Sequence, residues 1–380
     1  MSIRLLALFC LFVPAVLAAG AEHRVVYHDP AEFAGWPANE GLWSWGDDEM
    51  LVAFEVAKFV ETDGDHSVDR ESPKRIVFAR SLDGGETWTP EEHPEIAAPE
   101  YLGDAEKFVQ KTATARDPRP SPGGFDFTHP NFAMKLRGGT FYVSHNRGRS
   151  WEGPYLLTEY DFIPEARTSY IVTGPSSATV FMTGRVTRDG LKYGRSCVLR
   201  TEDGGKTFRF LSWIGEDIAD RLKPNERGKG FDNIFSIMPS AVRLGDDHFV
   251  CAVRQRTNRV KWTDIFESKD GGRSWEKIAT LEKGSSNPAT LVLMTDGTIA
   301  AVYGNRRKAP CGVAAKLSRD QGRTWSDEIV LRADARKWDI GYSRALQRPD
   351  GKIVALYYYT TEDMPQNFIA ATIWDVASAR

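Results

Sequence analysis

An eight-residue pattern, Ser/Thr-x-Asp-x-Gly-x-Thr/Ser-Trp/Phe, recurs along this chain and constrains its fold more than any other feature. It reads SLDGGETW from Ser81, TEDGGKTF from Thr201, SKDGGRSW from Ser268 and SRDQGRTW from Ser318, and a fifth copy, SHNRGRSW from Ser144, has Asn146 in place of Asp. Each copy follows a strand-like run such as Arg75 to Arg80 or Val313 to Leu317. An Asp or Asn at the third position accepts hydrogen bonds from its own turn, and the Gly supplies a positive φ that other residues resist. The closing aromatic then drops between neighbouring sheets. These five Asp and Asn residues are hairpin staples, and none is assigned to chemistry.

Successive copies start 63, 57, 67 and 50 residues apart, room for one four-stranded antiparallel sheet plus loops each time. Such units bury their faces only against one another, which favours a radial arrangement. A further strand-rich unit without the motif runs from Ile340 through the turn Pro349-Asp350-Gly351 to Trp374. The expectation is an all-β, six-bladed β-propeller occupying residues 22–380 as one domain. Its early strand, Arg24 to His28, is expected to pair with the last blade, close the ring and hide a sheet edge.

The N-terminus fits export. Met1 to Ala21 carries one basic residue, Arg4, an apolar run from Leu5 to Leu17 and the small triplet Ala19-Gly20-Ala21. That is the layout of a cleaved secretory signal, too short to span a membrane. The mature chain is therefore expected to be secreted or periplasmic, and cleavage removes Cys10. The three remaining cysteines, Cys197, Cys251 and Cys311, are too few and too odd for a disulfide framework and read as buried small hydrophobes. With 49 basic and 52 acidic residues, the net charge of -3 gives no footprint for nucleic acid or for an anionic membrane. No metal-ligand spacing, phosphate loop or nucleophile elbow is present, so neither metal nor cofactor is expected, and the chain is read as a monomer.

Repeated boxes on a six-blade count resemble the sialidase (neuraminidase) superfamily over essentially the whole mature chain. The resemblance implies a glycan substrate, an Asp acid/base in the first blade, a Tyr nucleophile with a Glu partner, and three Arg that hold a substrate carboxylate. It places the acid/base at Asp69, twelve residues ahead of Ser81 in GDHSVDRESPKRIVFARS, with His66 and Arg70 beside it. It places the nucleophile at Tyr342, in DIGYSRALQRPDGK, and two carboxylate ligands at Arg254 and Arg306, with Arg256 and Arg307 as alternatives. A Tyr suits this role because a neutral phenol approaches an anomeric centre bearing a carboxylate more easily than a second anion does.

The chain departs from that pattern twice. Where the family has Arg-Ile-Pro, it reads Phe33-Ala-Gly-Trp-Pro-Ala-Asn-Glu-Gly41, and where the family has Glu-Pro, it reads Met238-Pro239. An arginine and the base for the tyrosine are therefore missing, which points to a different sugar, uncharged or uronic. Glu40 or Asp232 is a positional candidate for the lost carboxylate. His129 and Asn131 in Asp126-Phe-Thr-His-Pro-Asn131 bind sugar hydroxyls if they face the channel; otherwise they are an ordinary Pro/Asn turn. Trp36, Trp43 and Trp45 offer a stacking wall, with blade packing expected for at least two. The leading expectation is a retaining exo-glycosidase. A polysaccharide lyase using Tyr342 or His129 and a non-catalytic glycan-binding propeller are the rivals.

Overall fold

A computed structural model describes residues 16–17, 20–46, 48–96, 117–165, 167–222, 234–258, 260–284, 287–306 and 310–379. The leader expected over 1–21 lies almost wholly outside these residues, as do Cys10, Asp232 and Arg307. The protein is all-β: among the described residues the one α-helix is the single turn Pro37–Glu40.

The strands follow one another as antiparallel meanders. The first has an inner edge in two pieces, Glu32–Gly35 and Gly41–Ser44, both paired with Met50–Lys58, followed by Arg75–Ser81 and Thr89–Glu92. The second is three-stranded: Ala133–Arg137, Thr140–Ser144 and Glu152–Leu156. Two further meanders, one around the long hairpin Ser177–Arg188 and Leu191–Thr201, the other spanning Phe235–Arg243 to Glu276–Lys283, join through a short parallel pairing of Gly194 and Arg195 with Phe235 and Ser236. A fifth runs from Ala289–Leu293 to Ile329–Arg332. In the last, Gly341–Gln347, Ile353–Tyr359 and Phe368–Trp374 are completed by Glu22–Tyr27, antiparallel to Phe368–Trp374. The chain's early and final strands thus share one sheet, as the sequence suggests.

Core residues sit between consecutive meanders. Phe54 and Val77 pack with Tyr358 and Ile369, Leu51 and Phe78 with Tyr142, Met134 and Phe141 with Val180, and Phe181 with Phe249. Ile265 packs with Tyr303, and Val302 with Tyr357. A cavity of about 320 Å³ is walled by Ser44, Phe132, Tyr170, Ala241, Leu291 and Leu346, one from the inner edge of each meander.

Every box closes in the same way. In the first, the Asp83 carboxylate accepts from the Thr87 amide (2.9 Å) and hydroxyl (2.5 Å), while the Ser81 hydroxyl accepts from the Gly85 amide (2.8 Å). Positive φ at Gly322 (90°) lies beyond the left-handed well that Gln321 occupies one position earlier at 60°. The aromatics Trp88, Trp151, Phe208, Trp275 and Trp325 each seal a different core cluster, as their residue type suggests.

These turns make an acid-stability signature. Burial works to raise the Asp270 pKa, but hydrogen bonds from the Ser274 hydroxyl and amide and from Ser268 prevail and hold it at about 2. Bonds from Thr324 hold Asp320 at about 2 as well. Both folded values lie below the 3.8 of a free Asp, so the stabilisation is complete above that pH and is lost as pH falls through about 2. The thermal midpoint should drop between pH values of about 4 and about 2, and Asp320→Asn should flatten part of that slope. Asn146 already shows that an amide closes the turn, through Ser150 at 2.8 and 3.0 Å.

Candidate active site

The loop 59–74 leaves the first meander at the end opposite its box, because Met50 pairs with Ser81 while Val56 pairs with Arg75. There Trp36, Asn39, His66, Val68, Arg70, Lys74, Met238 and Tyr342 wall a cavity of about 280 Å³. Three inner edges supply Trp36, Met238 and Tyr342, and each of these residues interrupts its strand. Trp36 separates Glu32–Gly35 from Gly41–Ser44, while the register shifts between Ile237 and Ser240 and between Gly341 and Arg344. All three are left-handed, with φ of 56°, 59° and 47°. Each such residue costs on the order of 1–3 kcal/mol, and clustering at one cavity is the pattern expected of a functional site.

Tyr342 is partly buried, with its hydroxyl 3.2 Å from Arg254 Nη1, and the guanidinium carbon of Arg306 lies 5.1 Å from its ring centroid. Burial alone would raise the phenol pKa. The charges of Arg254 and Arg306, with their hydrogen bonds, outweigh it and bring the pKa below its ordinary value of 10.0. Arg254 also meets Met238 Sδ at 3.7 Å, so the residue standing where a Glu was expected touches the arginine that polarises the phenol.

Behind the wall, wholly buried Asp339 gathers the second layer. Its carboxylate lies 2.5 Å from His66 Nδ1, 2.6 Å from the Tyr358 hydroxyl, 3.3 Å from the Ser67 amide and 3.6 Å from Arg306 Nη2. Burial opposes its ionisation, yet His66, Tyr358 and Arg306 together keep its pKa below that of a free Asp. Trp36 and Trp338 hold the His66 ring, with centroids at 5.3 and 5.6 Å.

The structure brings together Tyr342, Arg254, Arg306 and His66, and separates Asp69, Glu40, His129 and Asn131 from them. Asp69 does not wall the cavity. Its carboxylate accepts from the Glu71 amide at 3.0 Å, closing its own turn, and lies 3.6 Å from Lys58 Nζ. Glu40 is not a substitute carboxylate at the wall: it is completely buried and paired with Lys135 and Arg137. His129 and Asn131 lie at the box end of the second meander, away from Tyr342. There the Asn131 side chain and main-chain oxygens each accept from Arg147 at 2.9 Å, and exposed His129 packs on His145. Trp36 does wall the cavity, whereas the indoles of Trp43 and Trp45 donate to the carbonyls of Met134 and Phe132 between two sheets.

Sequence reasoning missed Asp339, Trp338 and Arg167. Arg167 is fully buried, and burial pushes its pKa down to about 10, with Tyr342 and Arg254 both within electrostatic reach. No local motif marks any of the three. Among the described residues no three His, Cys, Asp or Glu side chains are grouped so as to hold a metal ion.

Box turns, meander sheets and a cavity walled by aromatic and basic side chains at their opposite end define an all-β protein of sialidase-like fold. Residues 128–355 match the BNR repeat-like domain, and the chain belongs to that family. A structure of unknown function from Dyadobacter fermentans is similar at TM-score 0.66 and 20% identity, covering 93% of this chain and 98% of that one. The NanB sialidase of Streptococcus pneumoniae is similar at TM-score 0.54 and 12% identity, over 93% and 71%. The endosialidase of phage phi92 gives 0.55 and 10%, over 94% and 69%. No curated protein matches the sequence.

Proposed function

We propose that this protein is an exported six-bladed propeller that hydrolyses a terminal acidic sugar from a glycan with retention of configuration, using Tyr342 as nucleophile. The observation carrying this reading is the Tyr342 phenol on a cavity wall, its pKa lowered by Arg254 and Arg306. Two guanidinium groups do by charge what a neighbouring Glu does by taking a proton, so Met238 does not disarm the nucleophile. The wall also carries Arg70 and Lys74 and, among the described residues, no Asp or Glu, which favours a sugar bearing a carboxylate. The six-blade reading is supported by core clusters between successive meanders and by the early strand seated in the last sheet.

The test is a panel of aryl glycosides of sialic acid, glucuronic acid and their uncharged counterparts. Release of the aryl group from acidic members alone is expected; release from none, or only from uncharged ones, defeats the reading. The position of Tyr342 beside Arg70 and Lys74 on the described wall also suits a lyase, in which Tyr342 takes the proton beside a uronate carboxylate. An unsaturated product absorbing in the ultraviolet would identify that reaction instead.

A further inference from the structure

Retaining hydrolysis needs a group that protonates the leaving oxygen and later takes a proton from water, and among the described residues no carboxylic acid walls this cavity. Resting on the hydrolase reading, we propose that His66, held by Asp339, is the general acid and base of this site. His66 and Tyr342 wall the same cavity, one from the first meander's long loop and the other from the last meander's inner edge. The contact between His66 Nδ1 and the buried Asp339 carboxylate assigns the Nδ1 proton to that bond, which leaves Nε2 as the nitrogen open to a ligand. The same carboxylate is fixed by Tyr358, the Ser67 amide and Arg306, so the imidazole is oriented by groups that are themselves held. Asp69, three residues further on, is bound into its own turn.

The reactive form has Tyr342 as phenolate and His66 protonated on both nitrogens. The phenolate oxygen forms a bond to the anomeric carbon as the glycosidic C–O bond breaks; that bond's electron pair goes to the leaving oxygen, which takes the proton from Nε2. In the second half, water attacks the anomeric carbon and gives a proton to Nε2, while the bond to Tyr342 breaks and restores the phenolate. Charged and titratable groups around His66 are Asp65, Arg70 and Lys74 on its own loop, Lys337, Asp339 and Tyr342 from the last meander's approach, and Tyr358 and Arg306 beneath.

The experiment compares methyl and para-nitrophenyl glycosides of the acidic sugars above, in wild-type protein, His66→Gln and Asp69→Asn. A nitrophenolate departs without a proton and a methoxide does not. His66→Gln should therefore lower kcat/KM, which reports the bond-breaking half alone, by ~10²–10⁴-fold for the methyl glycoside and by only a few-fold for the nitrophenyl glycoside. Equal losses on both leaving groups overturn the assignment, as does finding the leaving-group dependence in Asp69→Asn instead. A thermal midpoint near that of wild type shows that His66→Gln has folded, and Asp339→Asn, which should move the pH profile of the methyl glycoside, is a second route to the same answer. Wild-type protein inert toward every glycoside defeats the hydrolase reading itself, and this assignment with it.

Discussion

Tyr342→Phe is expected to lower turnover of the acidic aryl glycoside on the order of 10⁴-fold while leaving the protein folded. The phenyl ring keeps its contact with Tyr358, whose centroid lies 6.0 Å away, and the left-handed backbone is unchanged. Only the hydroxyl is lost, and with it the atom that Arg254 contacts at 3.2 Å. Loss of one such hydrogen bond changes stability by about 1 kcal/mol, whereas loss of a nucleophile removes a reaction path. A fluorinated analogue of the same sugar, which forms the glycosyl-enzyme but releases it slowly, should add its mass to the tryptic peptide containing Tyr342. Activity within tenfold of wild type, or label on another residue, would falsify the nucleophile assignment.

Glu40→Gln is expected to destabilise the fold by about 3–5 kcal/mol, the typical cost of breaking a buried ion pair from one side. Glu40, Glu55, Lys135 and Arg137 form a cluster in which no side chain exceeds 3% exposure. Neutralising Glu40 leaves both cations facing Glu55 alone, whose own pKa burial raises to about 7. Adding Lys135→Met should recover much of the loss, since Arg137 then retains Glu55 at 3.3 Å. Urea denaturation of the two single variants and the double variant measures the coupling. A loss below about 1 kcal/mol for Glu40→Gln would show that the pairs do not hold the first two meanders together.

What could be read in advance was what is local. A box is a hydrogen-bonded ring complete within eight residues, so its five copies announced the turns and their aromatic seals before any coordinate. Tyr342, Arg254 and Arg306 were named by the resemblance of their segments to a family pattern, and the structure sets both arginines beside the one phenol. Asp69 shows the limit of that logic: position selects a loop, and His66 and Asp69 share one, but only packing against Asp339 and Trp36 decides which faces the cavity. His129 and Asn131 stand just before a strand, as read, but only the pairing of Ala133 with Ser144 shows that this start lies at the box end, so the turn reading holds. Asp339 and Glu40 exchanged expectations for a related reason, since their partners lie 273 and 95 residues away and no spacing reveals them.

The three interruptions that carry Trp36, Met238 and Tyr342 lie outside the ladder's count. A side chain there can be exchanged without sliding any strand past its neighbour, so a relative could acquire a new substrate by relettering these three positions while its sheets stay in register.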